Sequence, residues 1–432
     1  MTKVVIAAGG RGTRIASIAS DIPKPMILID GVPVLEREII SLKKQGFTDI
    51  ILTVSHMADY IIDYFGNGCK FGVHIDYFVE EEPLGNAGAL FKLKDQIKDD
   101  FLFLIADAVF DVDFNRLLKF HKDNKGLVTI FTHPNSHPYD SGLIIADNYG
   151  VVEQWLNKED ERRQWYRNRV NAGLHVINPK VLEQDIDTKK VDLDRQLLKP
   201  LCGTGKMFCY DSPEYVKDMG TPDRYEAVCR DFKDGIVQSK NLKNRQKAIF
   251  LDRDGTINKY VGFLRNIDDF ELIKDVAEAI KEITASGYLS IVATNQPVIA
   301  RGEVSLAEIE EIHNKMETLL GTEGAYIDAI YFCPHHPHKG YEGEVIELKI
   351  ECNCRKPKPG MLLKASEDFN IDLENSWYIG DTTTDIQTGV NAGTRTVLVK
   401  TGEAGKDGKY DVTPTLIADN LLEAIKKIIQ SN

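Results

Sequence analysis

The chain has 432 residues, 43% hydrophobic and 28% charged, enough to bury two or three soluble cores. Its acidic excess is spread as 31 Lys+Arg against 36 Asp+Glu over 1–240 and 22 against 30 beyond, which excludes the clustered positive charge of a nucleic-acid or anionic-membrane binder. Apolar runs break before the ~18 residues of a membrane span, MTKVVIAAGG leaves no room for a signal peptide, and seven cysteines without framework spacing point to a reducing, cytoplasmic setting.

In chain order, KVVIAAGGRGTR (3–14) reads as a strand running into a glycine loop. Helices are expected over 33–45 and 86–97, and strands over 49–54, 73–79, 101–106 and 126–132. The stretch 231–246 (DFKDGIVQSKNLKNRQ) is polar and aperiodic and reads as a linker. It divides a first domain, 1–235, from a second, 247–432, with 236–246 between them. The second opens with the same grammar, KAIFLDRDGTIN (247–258). Helices follow over 274–286, 305–319, near 360–370 and over 384–391, with strands over 288–293, 327–332, 376–380 and 395–399. Strands alternating with helices predict parallel sheets. The expected fold class is α/β, two tandem Rossmann-like domains.

In the loop Ala8-Gly9-Gly10-Arg11-Gly12-Thr13-Arg14, glycines let backbone N–H groups close on a phosphate chain while Arg11 and Arg14 offset its charge. Pro23-Lys24-Pro25 holds a lysine on an extended backbone, and no Gly-Lys-Ser/Thr ending marks a P-loop. With EEPLGNAGAL (81–90), Asp107, VNAG (170–173) and DMGTPDRY (218–225) in order, residues 1–235 resemble the sugar-phosphate nucleotidyltransferases. The resemblance implies transfer of a nucleotidyl group to a sugar 1-phosphate with release of pyrophosphate. It implies triphosphate binding by Gly9, Gly10, Gly12, Thr13 and Arg14, and charge stabilisation at the α-phosphate by Lys24. Gly85 and Gly88 would lie against the base, and Asp107 and Asp218 would hold Mg²⁺. Gly142, Lys158 and Asn171 would contact the sugar phosphate. The family's usual Glu-Lys pair is Asn157-Lys158 here.

Asp252-Arg253-Asp254-Gly255-Thr256 follows the strand of the second domain. Two carboxylates spaced i, i+2 on a loop can serve one site as nucleophile and acid/base, with Mg²⁺ offsetting their repulsion. Thr294-Asn295-Gln296, Arg355-Lys356-Pro357 and Gly380-Asp381 with Asp385 follow in order. The set resembles the haloacid dehalogenase superfamily of phosphohydrolases. It implies a phospho-aspartyl intermediate on Asp252, proton transfer by Asp254, and a transferring phosphoryl held by Thr294 and Lys356. Substrate contacts would fall to Asn295 and Arg355, and Mg²⁺ to Asp252, Asp254 and Asp381. Asp385 would be structural or support the site from behind.

Cys333-Pro-His335-His336 and Cys352-Asn-Cys354 stand just before Arg355. Thiolates plus imidazole at this spacing suit a closed tetrahedral Zn²⁺ site with ligands Cys333, His335, Cys352 and Cys354. The metal would staple the loop 334–351. This loop running into CRKPKPGM resembles the histidinol-phosphatase and heptose-bisphosphatase branch.

Together the resemblances imply one metabolic order. The second domain would remove the 7-phosphate of a heptose 1,7-bisphosphate, and the first would join the heptose 1-phosphate to GTP, giving GDP-heptose. The expected partners are these small molecules, with no nucleic acid and no membrane, and a homo-oligomer is compatible with the sequence. Two rivals stand beside this reading: a mannose-1-phosphate nucleotidyltransferase joined to a histidinol-phosphatase-like enzyme, and a first half that only senses nucleotide or sugar. Arg14, Lys24, Asp107 and Asp218 argue against the second, because a binding module needs no pair of metal carboxylates.

Overall fold

The computed structural model describes residues 2–10, 21–106, 108–184, 186–187 and 189–431. They form two compact units: 1–133, 142–157 and 169–241 in one, and 134–141, 158–168 and 242–432 in the other.

In the first unit, strands β1 (Val4–Ala7), β4 (Asp49–Val54), β5 (His74–Val79) and β6 (Phe101–Ile105) pair in parallel in the order β6-β1-β4-β5. A short hairpin, β2 (Leu28–Ile29) and β3 (Val32–Pro33), precedes α1 (Val34–Lys44), and α2 (Ala58–Phe65) follows β4. The sheet then turns mixed. It continues from β6 through the antiparallel β11 (Val170–Ile177) to β9 (Leu143–Ala146) and β10 (Val152–Leu156), with β8 (Val128–His133) and β12 (Met207–Asp211) branching from β11. Alternate side chains of β1 and β6 enter different cores. Val4, Ile6, Leu102 and Leu104 meet α1 and α4 (Phe114–Asn124), whereas Val5, Phe101 and Phe103 meet α3 (Gly88–Leu93). That is why these strands read as unbroken apolar runs. Separately, β7 (Ala108–Asp111) pairs with β13 (Tyr215–Asp218).

The second unit carries one parallel sheet of six strands in the order β16-β15-β14-β17-β18-β19. These are β14 (Ala248–Leu251), β15 (Leu289–Asn295), β16 (Ala329–Cys333), β17 (Trp377–Gly380), β18 (Arg395–Val399) and β19 (Leu416–Ala418). Ile249 and Leu251 pack on α7 (Val276–Ala285), α9 (Leu306–Thr322) and α12 (Leu421–Gln430), and Ala248 and Phe250 on α10 (Gly360–Phe369). The turn α8 (Pro297–Ala300) and helix α11 (Thr383–Ala392) each follow a strand. Parallel strands share one carboxyl edge, and there Asp252, Asn295 and Asp381 emerge.

Two expectations are corrected. The stretch 231–246 is not aperiodic throughout, since it carries helix as far as Ser239. It completes α5 (Pro222–Lys233) and forms α6 (Ile236–Ser239), because Phe232, Ile236 and Val237 join a small core with Ile29, Val109, Tyr215 and Val228. Nor are the units contiguous in sequence. Segments 134–141 and 158–168 fold with the second unit, where the Thr318 hydroxyl of α9 accepts the Tyr166 N–H at 2.9 Å and Lys315 lies 5.3 Å above the Trp165 ring. Among the described residues no helix is long and apolar enough to cross a membrane.

Candidate active sites

In the second unit, Asp252 leaves β14 buried, its N–H bonded to the Ile379 carbonyl at 2.9 Å. The Lys356 ammonium, also buried, lies 2.8 Å from Asp252 Oδ1 and 2.6 Å from Asp385 Oδ1, and donates to the Tyr378 hydroxyl at 3.2 Å. Asp385 caps α11 as well, accepting the Thr382 N–H and hydroxyl at 3.0 and 2.6 Å. Its contacts are thus to Lys356 and to the start of α11. Asn295 accepts the Lys356 N–H at 3.0 Å and donates to the Lys356 carbonyl at 3.3 Å. Both ends of its amide are thus spent on positioning the lysine.

Ligand oxygens of Asp252, Asp381 and Asp385 lie within 4.8 Å of one another. Burial first raises both Asp252, to about 6, and Asp381, to about 8. Lys356 pulls Asp252 back down, while the neighbouring carboxylates push both up. Asp381 Oδ2 accepts the Glu403 N–H at 2.7 Å, and among the described residues its buried Oδ1 has no hydrogen-bond partner. Three carboxylates sharing one ammonium, one oxygen orphaned, is a donor set that fits a hard divalent cation. Glycine is required around it: a Cβ on Gly402 would stand 2.0 Å from Asp381 Oδ2, and one on Gly255 2.5 Å.

Asp254 stands outside this trio. Its carboxylate accepts from Arg253 at 2.8 Å, from Gln296 Nε2 at 3.0 Å and from Asn258 Nδ2 at 3.0 Å. Gln296 also donates to the Thr294 hydroxyl at 3.1 Å, so Thr294 and Asp254 are joined through one amide. The sequence marked Thr294 and Asp254 but assigned no role to Arg253, Gln296 or Tyr378, whose links to His313, Asp254 and Lys356 join residues 60, 42 and 22 apart.

The thiols converge as the spacing implied. Cys354 Sγ lies 3.2 Å from Cys333 Sγ and 3.3 Å from both Cys352 Sγ and His335 Nδ1. Four ligands 2.0–2.3 Å from a tetrahedral metal stand about 3.3–3.8 Å apart. Neighbouring thiols lower Cys354 to about 5 and, with burial, raise Cys333, a thiolate ready to bind metal. His336 is buried outside the set, its Nε2 3.3 Å from Arg301. The His335 carbonyl accepts from Arg355 at 3.0 Å, so the loop holds that arginine directly.

In the first unit, Lys24 opens a turn behind Pro23, its Nζ 3.7 Å from Asp218 Oδ1. Asp218 also accepts from Arg224 at 2.5 Å and from the Gly220 N–H at 2.7 Å. The β7–β13 register sets Asp218 opposite Ala108. Asp107, Gly12, Thr13 and Arg14 lie outside the described residues. Gly9 and Gly10 follow β1, where a Cβ on Gly9 would press Ser55 at 3.1 Å. Gly85, at φ +80, faces the chain itself, since a Cβ there would stand 2.2 Å from the Val191 carbonyl oxygen. Its glycine is therefore demanded by backbone packing, whatever else it touches. Gly88 opens α3. Asn171 sits where the β8–β11 register shifts, accepting the Gly173 N–H at 3.1 Å, and Gly142 lies against Trp155. Lys158 belongs to a segment of the second unit, and Gly142 and Asn171 to the first.

A nucleotidyl transferase family model matches residues 3–234, and a HAD-hydrolase-like model matches 353–424. The D-glycero-beta-D-manno-heptose-1,7-bisphosphate 7-phosphatase of Escherichia coli K12 is 45% identical over 185 residues, 42% of this chain and 94% of that protein. The protein of the same name from Pasteurella multocida is 42% identical over 187 residues, 42% of this chain and 99% of its own length. Among solved structures, HddC from Yersinia pseudotuberculosis is 30% identical and covers 54% of this chain and 100% of its own, with a TM-score of 0.47. The chain therefore belongs to the nucleotidyl transferase family through its first unit and carries a HAD-hydrolase-like phosphatase as its second.

Proposed function

We propose that the second unit hydrolyses the 7-phosphate of D-glycero-D-manno-heptose 1,7-bisphosphate, and that the first joins the resulting heptose 1-phosphate to GTP. The observation that carries the reading is the buried Asp252–Lys356–Asp385 array with Asp381 at its side, in a sequence 45% identical to a phosphatase named for that substrate. A bisphosphate also suits the cations beyond the nucleophile. Arg301 lies 3.3 Å from His336 Nε2 and Arg355 donates to the His335 carbonyl at 3.0 Å, so two cations stand beside the thiol loop. A second phosphate would offset them. The guanylyl assignment rests on the motif resemblance.

In the phosphatase, an Asp252 oxygen attacks phosphorus as the bond from phosphorus to the sugar oxygen breaks, and Asp254 gives its proton to that oxygen. Asp254 then takes a proton from the water that attacks the phospho-aspartate, releasing inorganic phosphate and restoring Asp252. Lys356 and the Thr294 hydroxyl hold the phosphoryl oxygens. Mg²⁺ held by Asp252 and Asp381, with Asp385 beside them and Asp254 contributing from its own loop, would neutralise charge on the transferring group. Zn²⁺ at Cys333, His335, Cys352 and Cys354 would be structural, fixing Arg355 through the His335 carbonyl. In the transferase, the sugar phosphate oxygen attacks the α-phosphorus and pyrophosphate leaves. Gly9, Gly10, Gly12, Thr13 and Arg14 hold the triphosphate, and Lys24 neutralises the α-phosphate. Mg²⁺ would sit at Asp107 and Asp218, and Gly142 and Asn171 would bind the sugar phosphate. A cytoplasmic setting, where both substrates and reduced thiols occur, fits this chemistry.

The test is a matrix of sugar 1-phosphates against the four nucleoside triphosphates, read by pyrophosphate release, beside phosphate release from heptose 1,7-bisphosphate. Heptose 1-phosphate with GTP should give the highest kcat/KM. A preference for mannose 1-phosphate, with phosphate released from histidinol phosphate instead, would replace the substrates and leave both reaction classes in place.

A further inference from the structure

We propose that His313, acting through Arg253, is the positioning residue that holds Asp254 toward the leaving oxygen of the phosphatase. The inference rests on Asp254 being the proton donor of the reading above.

Arg253 is fully buried, and its guanidinium folds back on the next residue in the chain. Nη2 donates to Asp254 Oδ1 and Oδ2 at 3.0 and 2.8 Å, and to Gln296 Oε1 at 3.0 Å. Nη1 points the other way, to His313 Nε2 at 3.2 Å. A guanidinium has donors only. His313 Nε2 must therefore be the acceptor, with the ring neutral and its proton on Nδ1. The position favours that form: burial, then the charges of Arg253 and Arg167, hold His313 well below its ordinary value.

The geometry makes His313 an anchor. It sits on α9, a helix of 17 residues fixed by a Ser305–Glu308 capping box and by Ile309, Ile312, Met316 and Leu320 in the core. Its ring packs 5.3 Å from Phe332 on β16. Without an acceptor at Nη1 the buried guanidinium would rotate or shift to find one, and the fork that fixes both oxygens of Asp254 would move with it. No other part of the proposed mechanism uses this histidine.

The consequence is selective. An alkyl phosphate expels a poor leaving group that needs a proton in the transition state, whereas p-nitrophenolate leaves unprotonated. kcat/KM reports the steps up to phosphoryl transfer, so mispositioning Asp254 should slow the sugar ester alone. For His313→Leu in the full-length chain, kcat/KM on heptose 1,7-bisphosphate should fall about 10-fold to 100-fold, while kcat/KM on p-nitrophenyl phosphate should stay within about 2-fold. His313→Gln, which offers an amide oxygen, should recover most of the loss. Arg253→Lys keeps the charge but not the fork, and gives the same reading if His313→Leu does not fold: it should show the same selective fall. Equal losses on both esters, or no loss on either, would overturn the role of His313. Failure of the underlying reading looks different: wild type would release phosphate from neither ester, or Asp252→Asn would remain active.

Discussion

Three buried carboxylates around one ammonium repel one another, and the cost grows as each ionises. Asp252 and Asp381, raised to about 6 and about 8, bind more protons folded than unfolded between about pH 4 and pH 8. Their contribution is therefore complete at low pH and is lost as pH rises through those values. A divalent cation reverses the trend by supplying the missing counter-charge. Thermal unfolding of metal-free protein should show the transition that includes this site falling from pH 5 to pH 8, with the rise on adding Mg²⁺ larger at pH 8. A Mg²⁺ increment equal at both pH values would contradict the three-carboxylate site. At the same scale, Asp252→Asn would remove the proposed nucleophile. Phosphate release should fall on the order of 10³-fold or more, with pyrophosphate release near wild type, whereas Lys24→Ala should do the opposite. Loss of both activities in either variant would refute separate sites. The sequence declared Asp252, Asp381 and Lys356 because each stands in a short run of recognisable types. Asp385 could be placed no further than structural or supporting, because a capping carboxylate and a lysine partner look alike in a sequence.

Two loops support the phosphatase site, and each has its own test. The loop after β18 reaches Asp381 through the Glu403 N–H and the close approach of Gly402. Gly402→Ala should nearly abolish phosphate release, because a Cβ 2.0 Å from the carboxylate must displace the loop or the metal ligand. Gly262→Ala, where a Cβ would meet nothing, should cost only the backbone strain of a positive φ, about 1–2 kcal/mol. Similar kinetics in the two variants would rule out a close-packed loop. The thiol loop should hold about one Zn per chain by elemental analysis. Cys352→Ala should lose the metal and weaken the phosphatase while sparing nucleotidyl transfer; metal-free protein with full phosphatase activity after Mg²⁺ addition would refute a structural zinc. Elements buried on both faces, such as β14 and β17, were legible as apolar runs. Residues 231–246 were not, because Phe232, Ile236 and Val237 are too few to show a period and find their core only in three dimensions.

At the scale of the whole chain, the tandem order of two α/β units could be read from the two strand-and-loop openings. The exchange of segments 134–141 and 158–168 could not, since their partners on α9 lie some 150 residues away, as in the Tyr166–Thr318 pair. Chemistry gives the two reactions a direction. Removing the 7-phosphate leaves the anomeric phosphate intact, and that group is the nucleophile which nucleotidyl transfer requires. Ester hydrolysis is effectively irreversible and draws material forward, whereas nucleotidyl transfer is near balance until pyrophosphate is removed. The most direct measurement is a phosphorus NMR time course of the single polypeptide with D-glycero-D-manno-heptose 1,7-bisphosphate, GTP and Mg²⁺. Inorganic phosphate should appear first, followed by pyrophosphate and GDP-heptose in equal amounts. Heptose 1-phosphate that accumulates and persists with GTP in excess would contradict the account.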